Sequence, residues 1–139
     1  MRLFFDSSAL AKRYLEEGES AELLARVRFA GTAVSRLAEV EVVSALCRRC
    51  REGDLTLPER DRLLAALDDD LRALRVIEVT PEVVAAARKL LARRRLRAGD
   101  AVQLASALTL QKTLAAPVEF VCFDQRLAAA ARDEGLAIK

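Results

Sequence analysis

The strongest local signal in the chain is the stretch Met1-Arg2-Leu3-Phe4-Phe5-Asp6-Ser7-Ser8-Ala9-Leu10. Its apolar residues 3–5 predict a short buried strand, and the sequence then changes at once to polar residues and a helical pattern. Asp6 is therefore expected at the carboxyl end of a first strand, which is the edge where open α/β sheets bind ligands. The same aspartate also suits the N-cap of the following helix, so its role depends on which other acids reach that edge.

Length and composition bound the class of protein. A chain of 139 residues with 53% apolar residues is expected to form one domain, over residues 1–139, around a single core. Uninterrupted apolar runs of membrane-spanning length are absent from the sequence, and Asp6 interrupts the N-terminal apolar run too early for a signal peptide. We expect a cytoplasmic protein that does not contact a membrane.

The sequence has no histidine, which excludes Ser-His-Asp and Cys-His hydrolases and removes the usual general base. Its three cysteines, Cys47, Cys50 and Cys122, are too few for a structural zinc site without histidine. Carboxylates, lysine or a metal ion must therefore carry any chemistry.

Strand patterns alternate with helical patterns along the chain. Strands are predicted at 3–5, 32–34, 76–79, 118–123 and 136–138, and helices at 8–17, 20–29, 36–51, 58–73, 81–94, 101–114 and 124–133. This alternation predicts parallel crossovers and an α/β fold whose short, mostly parallel central sheet is covered by helices on both faces. The helix at 36–51 has apolar or small residues on nearly every face, so we expect it to be mostly buried.

Three aspartates stand at the starts of predicted helices. Asp124 follows a buried strand as Asp6 does, so both should lie at one edge of the sheet. Asp100 follows Gly99 and opens a third helix, where an N-cap role is the alternative.

A glutamate inside the helix at 36–51 is harder to explain as a cap. A buried glutamate costs several kcal/mol unless it is paired or binds a cation. Glu41 fits that description, but periodicity does not favour it over Glu39, and an ion pair with Arg48 is the alternative. Crowded carboxylates repel one another unless a divalent ion is present, and an all-oxygen set favours Mg²⁺ or Mn²⁺. Such a site can direct the attack of water on a phosphodiester.

Four sequence blocks in this order resemble the PIN-domain family, and among its members the VapC toxin-type ribonucleases. The blocks are Leu3-Phe4-Phe5-Asp6-Ser7-Ser8-Ala9-Leu10, Ser35-x-Leu37-x-x-x-Glu41-x-x-x-Ala45-Leu46, Arg97-Ala98-Gly99-Asp100-Ala101-x-x-x-Ala105-x-Ala107 and Phe120-Val121-x-Phe123-Asp124-x-x-Leu127. The resemblance spans essentially the whole chain. It implies a PIN-like three-layer α/β/α sandwich and Mg²⁺-dependent cleavage of RNA, with Mn²⁺ as a substitute.

The resemblance also assigns residues. It implies that Asp6, Glu41, Asp100 and Asp124 are the catalytic, metal-binding acids, and it selects Glu41 over Glu39. Ser7 matches a small hydroxyl residue beside the first aspartate, with a role in orienting Asp6 or a metal-bound water; a helix cap is the alternative. Some members have a further acid where this chain has Gln103, which weakens the case for a tightly held second metal.

Basic residues offer contacts to RNA, since 19 of the 23 are arginine. Arg94, Arg95 and Arg97 precede Asp100 and could bind phosphates next to the metal. The alternative is that they complement the dipole of the preceding helix. Most of the six aromatic residues fall in predicted strands, so base stacking is expected to contribute little.

The resemblance further implies a small VapB-like antitoxin as a partner, and a homodimer whose surface the sequence leaves undefined. The groove between the predicted helices at 20–29 and 36–51 is our prediction for the antitoxin site, because both helices carry excess apolar surface. Two alternative functions stay open at this point: a catalytically silent or phospho-accepting α/β metal-binding module of the receiver type, and a stand-alone RNA-processing nuclease.

Overall fold

The computed structural model describes residues 2–15 and 31–139. Its strands are β1 (Arg2–Phe5), β2 (Thr32–Ser35), β3 (Arg75–Ile77), β4 (Val118–Val121) and β5 (Ala137–Ile138). The helices in these ranges are α1 (Ser7–Leu15), α2 (Arg36–Arg51), α3 (Leu57–Ala73), α4 (Pro81–Arg93), α5 (Ala98–Leu114) and α6 (Gln125–Asp133). The helix predicted at 20–29 lies outside the described residues.

The five strands form one parallel sheet in the order β3-β2-β1-β4-β5. The predicted α/β sandwich is confirmed, and every strand pair is parallel. Because β1 is the central strand, its carboxyl end lies between the ends of β2 and β4. Receiver domains use the order 2-1-3-4-5, so this sheet does not have the receiver topology.

Helices cover both faces of the sheet, as the alternation of elements predicts. Successive strand residues point to opposite faces, so Phe4 and Phe5 enter different cores. Phe4 stacks on Phe120, with 5.7 Å between ring centroids, in the core that α4, α5 and α6 cover. Phe5 packs in the opposite core with Leu10 and Leu46, which belong to α1 and α2.

The prediction that α2 is mostly buried is wrong. Only Ala38, Val42 and Leu46 are buried in this helix, a single stripe with a spacing of four residues. Val40 is 64% exposed, because the helix packs against its neighbours on one side and faces solvent on the other. None of the described helices has the length and apolar character needed to cross a membrane.

Candidate active site

Asp6 lies at the carboxyl end of β1 and is 4% exposed. Its backbone N–H donates to the carbonyl oxygen of Val121 at 3.1 Å, which ties it to β4. Its Oδ1 accepts the backbone N–H of Ala9 at 2.8 Å, and both carboxylate oxygens accept the Ser8 hydroxyl, at 2.8 and 3.0 Å. Asp6 therefore stabilises the start of α1 and is at the same time the central acid of this edge.

The surroundings of Asp6 disfavour the charged form of its carboxyl group. Burial raises the pKa of this carboxyl to about 6, although the hydrogen bonds from Ala9 and Ser8 oppose the change. Repulsion from Asp100 and Glu41 raises the pKa further. These carboxylates are therefore close enough to repel one another.

Glu41 is fixed by a small polar network. Its Oε1 accepts the Ser7 hydroxyl at 2.7 Å and the Gln103 amide N–H at 3.1 Å, and Gln103 also donates to Ser7 Oγ at 2.5 Å. A Cβ atom placed on Gly99 would lie 3.2 Å from Glu41 Oε2, so the glycine allows the start of α5 to approach this carboxylate. Glu41 Oε2 accepts no hydrogen bond from the residues that the structure describes.

The two serines have different partners. Ser8 rather than Ser7 bonds Asp6, whereas Ser7 bonds Glu41. Neighbouring residues of a helix point about 100° apart, so each hydroxyl meets a different acid. Ser7 was expected to orient Asp6 or a metal-bound water. In this structure it is placed to orient Glu41.

Gln103 is a site residue whose role the sequence did not reveal. It is 2% exposed, and its Oε1 atom accepts no hydrogen bond within the described ranges. A usable signal was its position three residues after Asp100, which puts both side chains on one face of α5.

Asp100 interacts electrostatically with both Asp124 and Glu41. Burial raises the pKa of Asp100, and repulsion from Asp124 raises it too, while Arg97 lowers it. Asp124 is exposed, and its Oδ1 accepts the backbone N–H groups of Arg126 and Leu127 at 2.8 and 3.2 Å. It is the N-cap of α6 and leaves Oδ2 available.

These acids form a donor set that suits a hard divalent cation. All the available atoms are carboxylate oxygens, which Mg²⁺ prefers. Burial, and to a smaller extent mutual repulsion, raises the pKa values of Asp6 and Asp100, and a bound cation would stabilise their charged forms. Within residues 2–15 and 31–139, no group of three His, Cys, Asp or Glu side chains is arranged to share one ion. Binding would therefore have to draw the side chains together.

Two cavities beside the acids are lined by basic residues. The larger, of about 530 Å³, contains Glu41 and Ser7 together with Lys12, Arg48 and Arg97.

The smaller, of about 420 Å³, contains Asp100 and Asp124 together with Arg95, Arg97 and Arg126. Arg97 lines both cavities, so positive charge borders the acids on two sides.

Arg94 has a different environment from its neighbours. Its guanidinium lies 2.8 Å from Glu134 and 3.6 Å from Asp133 at the end of α6. Of the three arginines expected to contact RNA, only Arg95 and Arg97 line a cavity of the site.

Comparison with known proteins gives a family and a set of similar structures. The family model described as the PIN domain matches residues 3–133. FitAcB from Neisseria gonorrhoeae is similar in structure, with a TM-score of 0.74, 14% identity and coverage of 98% of this chain and 95% of that chain. Comparison with curated protein sequences gives no match.

Two further structures are similar at lower scores. A toxin-antitoxin complex from Klebsiella pneumoniae has a TM-score of 0.67, 16% identity and coverage of 91% of this chain and 90% of that chain. A sarcin-ricin loop cleaving toxin from Mycobacterium tuberculosis has a TM-score of 0.67, 21% identity and coverage of 92% and 94%. At such identities the likeness shows a shared fold.

Proposed function

The chain belongs to the PIN domain family, and from that premise we propose that it is a Mg²⁺-dependent endoribonuclease, the toxin of a VapBC-type toxin-antitoxin pair. PIN domains are generally nucleases that depend on a divalent metal ion. The observation that carries the proposal is the crowding of Asp6, Glu41 and Asp100 at the carboxyl edge of the sheet. The similarity to a toxin-antitoxin complex supports the toxin role, and the similarity to a sarcin-ricin loop cleaving toxin supports RNA as the substrate.

In this proposal Asp6, Glu41, Asp100 and Asp124 hold the metal ion. When bound, Mg²⁺ would activate water for attack on a phosphodiester and neutralise charge on the scissile phosphate. The absence of histidine fits a reaction in which the protein supplies oxygen ligands rather than an imidazole base.

The chain's own contribution is to fix these oxygens before the ion and the RNA arrive. Hydrogen bonds from Ser7 and Gln103 occupy Glu41 Oε1 and leave Oε2 as the available ligand. The α6 N-cap bonds occupy Asp124 Oδ1 in the same way. Each of these carboxylates thus presents one defined oxygen, which lowers the cost of forming a metal site.

The basic residues of the two cavities would position the substrate. Phosphate contacts fix the register of a nucleic acid without reading its sequence. Lys12 and Arg48 line the cavity on the Glu41 side, Arg95 and Arg126 line the one on the Asp124 side, and Arg97 lines both. An RNA strand crossing the acids would therefore find positive charge before and after the scissile phosphate.

An RNA-cleavage assay tests the proposed activity. The purified chain should cut a mixed RNA pool in the presence of Mg²⁺ and stop when EDTA is added, while Asp6→Asn should be inactive in both conditions. Equal cleavage by the wild type and Asp6→Asn would remove this edge of the sheet from the reaction.

Metal binding should be visible as stability. Because an ion that binds only the folded state stabilises it by mass action, about 2.7 kcal/mol at 100 times Kd, Mg²⁺ or Mn²⁺ should raise Tm by several degrees. Asp100→Asn should lose most of that gain, whereas Asp68→Asn, an exposed change on α3, should keep it. Thermal unfolding with and without the ion measures this, and equal gains in all three proteins would place Asp100 outside the metal site.

Gln103→Met should lower RNA cleavage without lowering the stability of the fold. The substitution removes both N–H donors to Ser7 and Glu41 while keeping the side-chain length, and groups that orient metal ligands contribute about 10- to 100-fold. Cleavage and Mn²⁺ affinity should fall by about that factor. Tm should hold or rise, because the change also removes a buried amide oxygen without a donor.

The matched control for Gln103→Met is Ser106→Ala, a buried polar change on the same helix whose hydroxyl donates only to the Val102 carbonyl oxygen. It should keep full cleavage activity. If Gln103→Met cleaves RNA at the wild-type rate, Gln103 has no part in positioning Glu41.

The partner we propose is a small antitoxin whose C-terminal segment binds a groove between helices and places an arginine among the carboxylates. The groove predicted from the sequence includes residues 20–29, which lie outside the described residues. An arginine would form bidentate bonds with these acids in place of the metal, so inhibition should weaken as Mg²⁺ rises. Co-expression with any short neighbouring reading frame, followed by co-purification and cleavage assays, tests this. Failure to find such a neighbour, together with normal growth on expressing this chain alone, would favour a stand-alone RNA-processing nuclease.

A further inference from the structure

Phe123 is an exposed aromatic side chain at the edge of the acids. The sequence pattern placed it in a strand, but β4 ends at Val121, and Phe123 is 47% exposed. It immediately precedes Asp124. The other aromatic side chains that the structure describes are all buried: Phe4, Phe5, Tyr14 and Phe120.

The ring is held by a cation rather than by the core. Lys12 Nζ lies 4.2 Å from the ring centroid of Phe123, a contact in which the ammonium is attracted to the negative face of the ring. Lys12 also lines the cavity that contains Glu41. The contact therefore connects a residue of α1 that borders the Glu41 cavity to the segment that immediately precedes Asp124.

We propose that Phe123 is a stacking platform for a nucleobase next to the scissile phosphate, a role that rests on the proposed ribonuclease function. An aromatic ring stacks on the flat face of a base, and in a duplex that face is covered by the neighbouring bases. A base can therefore stack on Phe123 only when it is unpaired and turned out of the strand. The substrate is then a single-stranded segment or a loop rather than a continuous duplex. Lys12 holds the ring in place through the cation–π contact.

Phe123 differs from the other large apolar side chains that are exposed in the described part of the chain. Exposed aliphatic residues such as Val40 and Leu57 are normal on a protein surface and need no functional explanation. Phe123 differs in being aromatic, bordered by a cation and adjacent in sequence to a proposed metal ligand. Removing a ring that stacks on a base should weaken binding by about 5- to 150-fold.

The absence of tryptophan allows a direct test of stacking. Phe123→Trp introduces one fluorophore at the proposed platform, and Leu57→Trp introduces one at an exposed position on α3, near a different cavity. In EDTA, single-stranded RNA should quench the fluorescence of Phe123→Trp and leave that of Leu57→Trp nearly unchanged. Duplex RNA of the same sequence should quench Phe123→Trp far less. Equal quenching of both proteins, or no quenching of Phe123→Trp, would overturn the inference.

Steady-state cleavage provides a second readout. Phe123→Tyr should keep the wild-type KM, whereas Phe123→Leu, which is apolar without an aromatic face, should raise KM by about 5-fold or more at a smaller change in kcat. A wild-type KM for Phe123→Leu would overturn the stacking role while leaving the ribonuclease proposal intact. If the wild-type chain itself shows no Mg²⁺-dependent cleavage, the ribonuclease proposal fails and the stacking role fails with it.

Discussion

Asp6→Asn and Glu41→Gln should each lower RNA cleavage by at least about 100-fold, while Glu39→Gln should leave it close to the wild-type rate. Residues that only orient metal ligands contribute about 10- to 100-fold, so losing a ligand oxygen should cost more. The two glutamates lie on the same helix but have different partners. Glu41 bonds Ser7 and Gln103 inside the site, whereas Glu39 pairs with Arg36 at 2.9 Å in an exposed position.

The three variants are matched in a useful way. Each replaces a carboxylate with the amide of the same shape, so packing is preserved and only charge and metal affinity change. Initial rates on one RNA substrate at saturating Mg²⁺, with circular dichroism to confirm folding, provide the comparison. An inactive Glu39→Gln beside an active Glu41→Gln would show that the choice of Glu41, which follows from the family resemblance, is wrong.

In the absence of divalent ions, the wild-type protein should lose stability as the pH rises from about 4 to about 6. Burial raises the pKa of folded Asp6 to about 6, above its ordinary value of 3.8. The folded state therefore holds a proton that the unfolded state has released in this interval, and its stability falls as that proton is lost. The difference in pKa corresponds to about 3 kcal/mol, and Asp100, whose pKa is also raised, acts in the same direction.

Asp6→Asn should remove most of this pH dependence, because the amide does not ionise in this range. In EDTA at neutral pH, the variant should then be more stable than the wild type by up to about 3 kcal/mol. Urea unfolding at several pH values measures this, with the exposed Asp68→Asn as the control that keeps the wild-type slope. Mg²⁺ should flatten the wild-type curve near neutral pH, since the ion neutralises the same charge. Parallel curves for the wild type and Asp6→Asn would contradict the raised pKa of the buried Asp6 carboxyl.

The parallel sheet and the alternation of strands and helices were predictable from the sequence, because the first four strands are short, mostly apolar and followed by the start of a helix. The boundaries of α2 were predicted without error, since Ser35 and Gly53 are clear signals at its two ends. Which face of α2 is exposed to solvent could not be predicted from the sequence. Small and apolar residues surround it on nearly every face, so only the packed fold shows that Val40 faces solvent.

The positions of the candidate acids could be predicted from the sequence, but the contacts that hold them could not. An aspartate after a strand is visible in the pattern. The network of Ser7, Glu41 and Gln103, by contrast, joins residues that are 34, 62 and 96 positions apart. Phe123 illustrates the same limit, because the apolar run continues past the point where β4 ends. Whether its ring enters the core or solvent depends on a strand boundary that the pattern does not fix.

The chemistry of the cleaved ends tests the central claim most directly. If the carboxylate edge directs water onto the phosphodiester, early products should carry linear phosphates, incorporate ¹⁸O from labelled water, and disappear when EDTA is added or Asp6 is changed to Asn. Attack by the RNA's own 2′-hydroxyl would instead leave 2′,3′-cyclic phosphates without solvent oxygen. Mass spectrometry of the products from one defined RNA distinguishes these outcomes. Linear, ¹⁸O-labelled, Mg²⁺-dependent ends are the expected result, and cyclic phosphate ends that persist in EDTA and in Asp6→Asn would contradict the account.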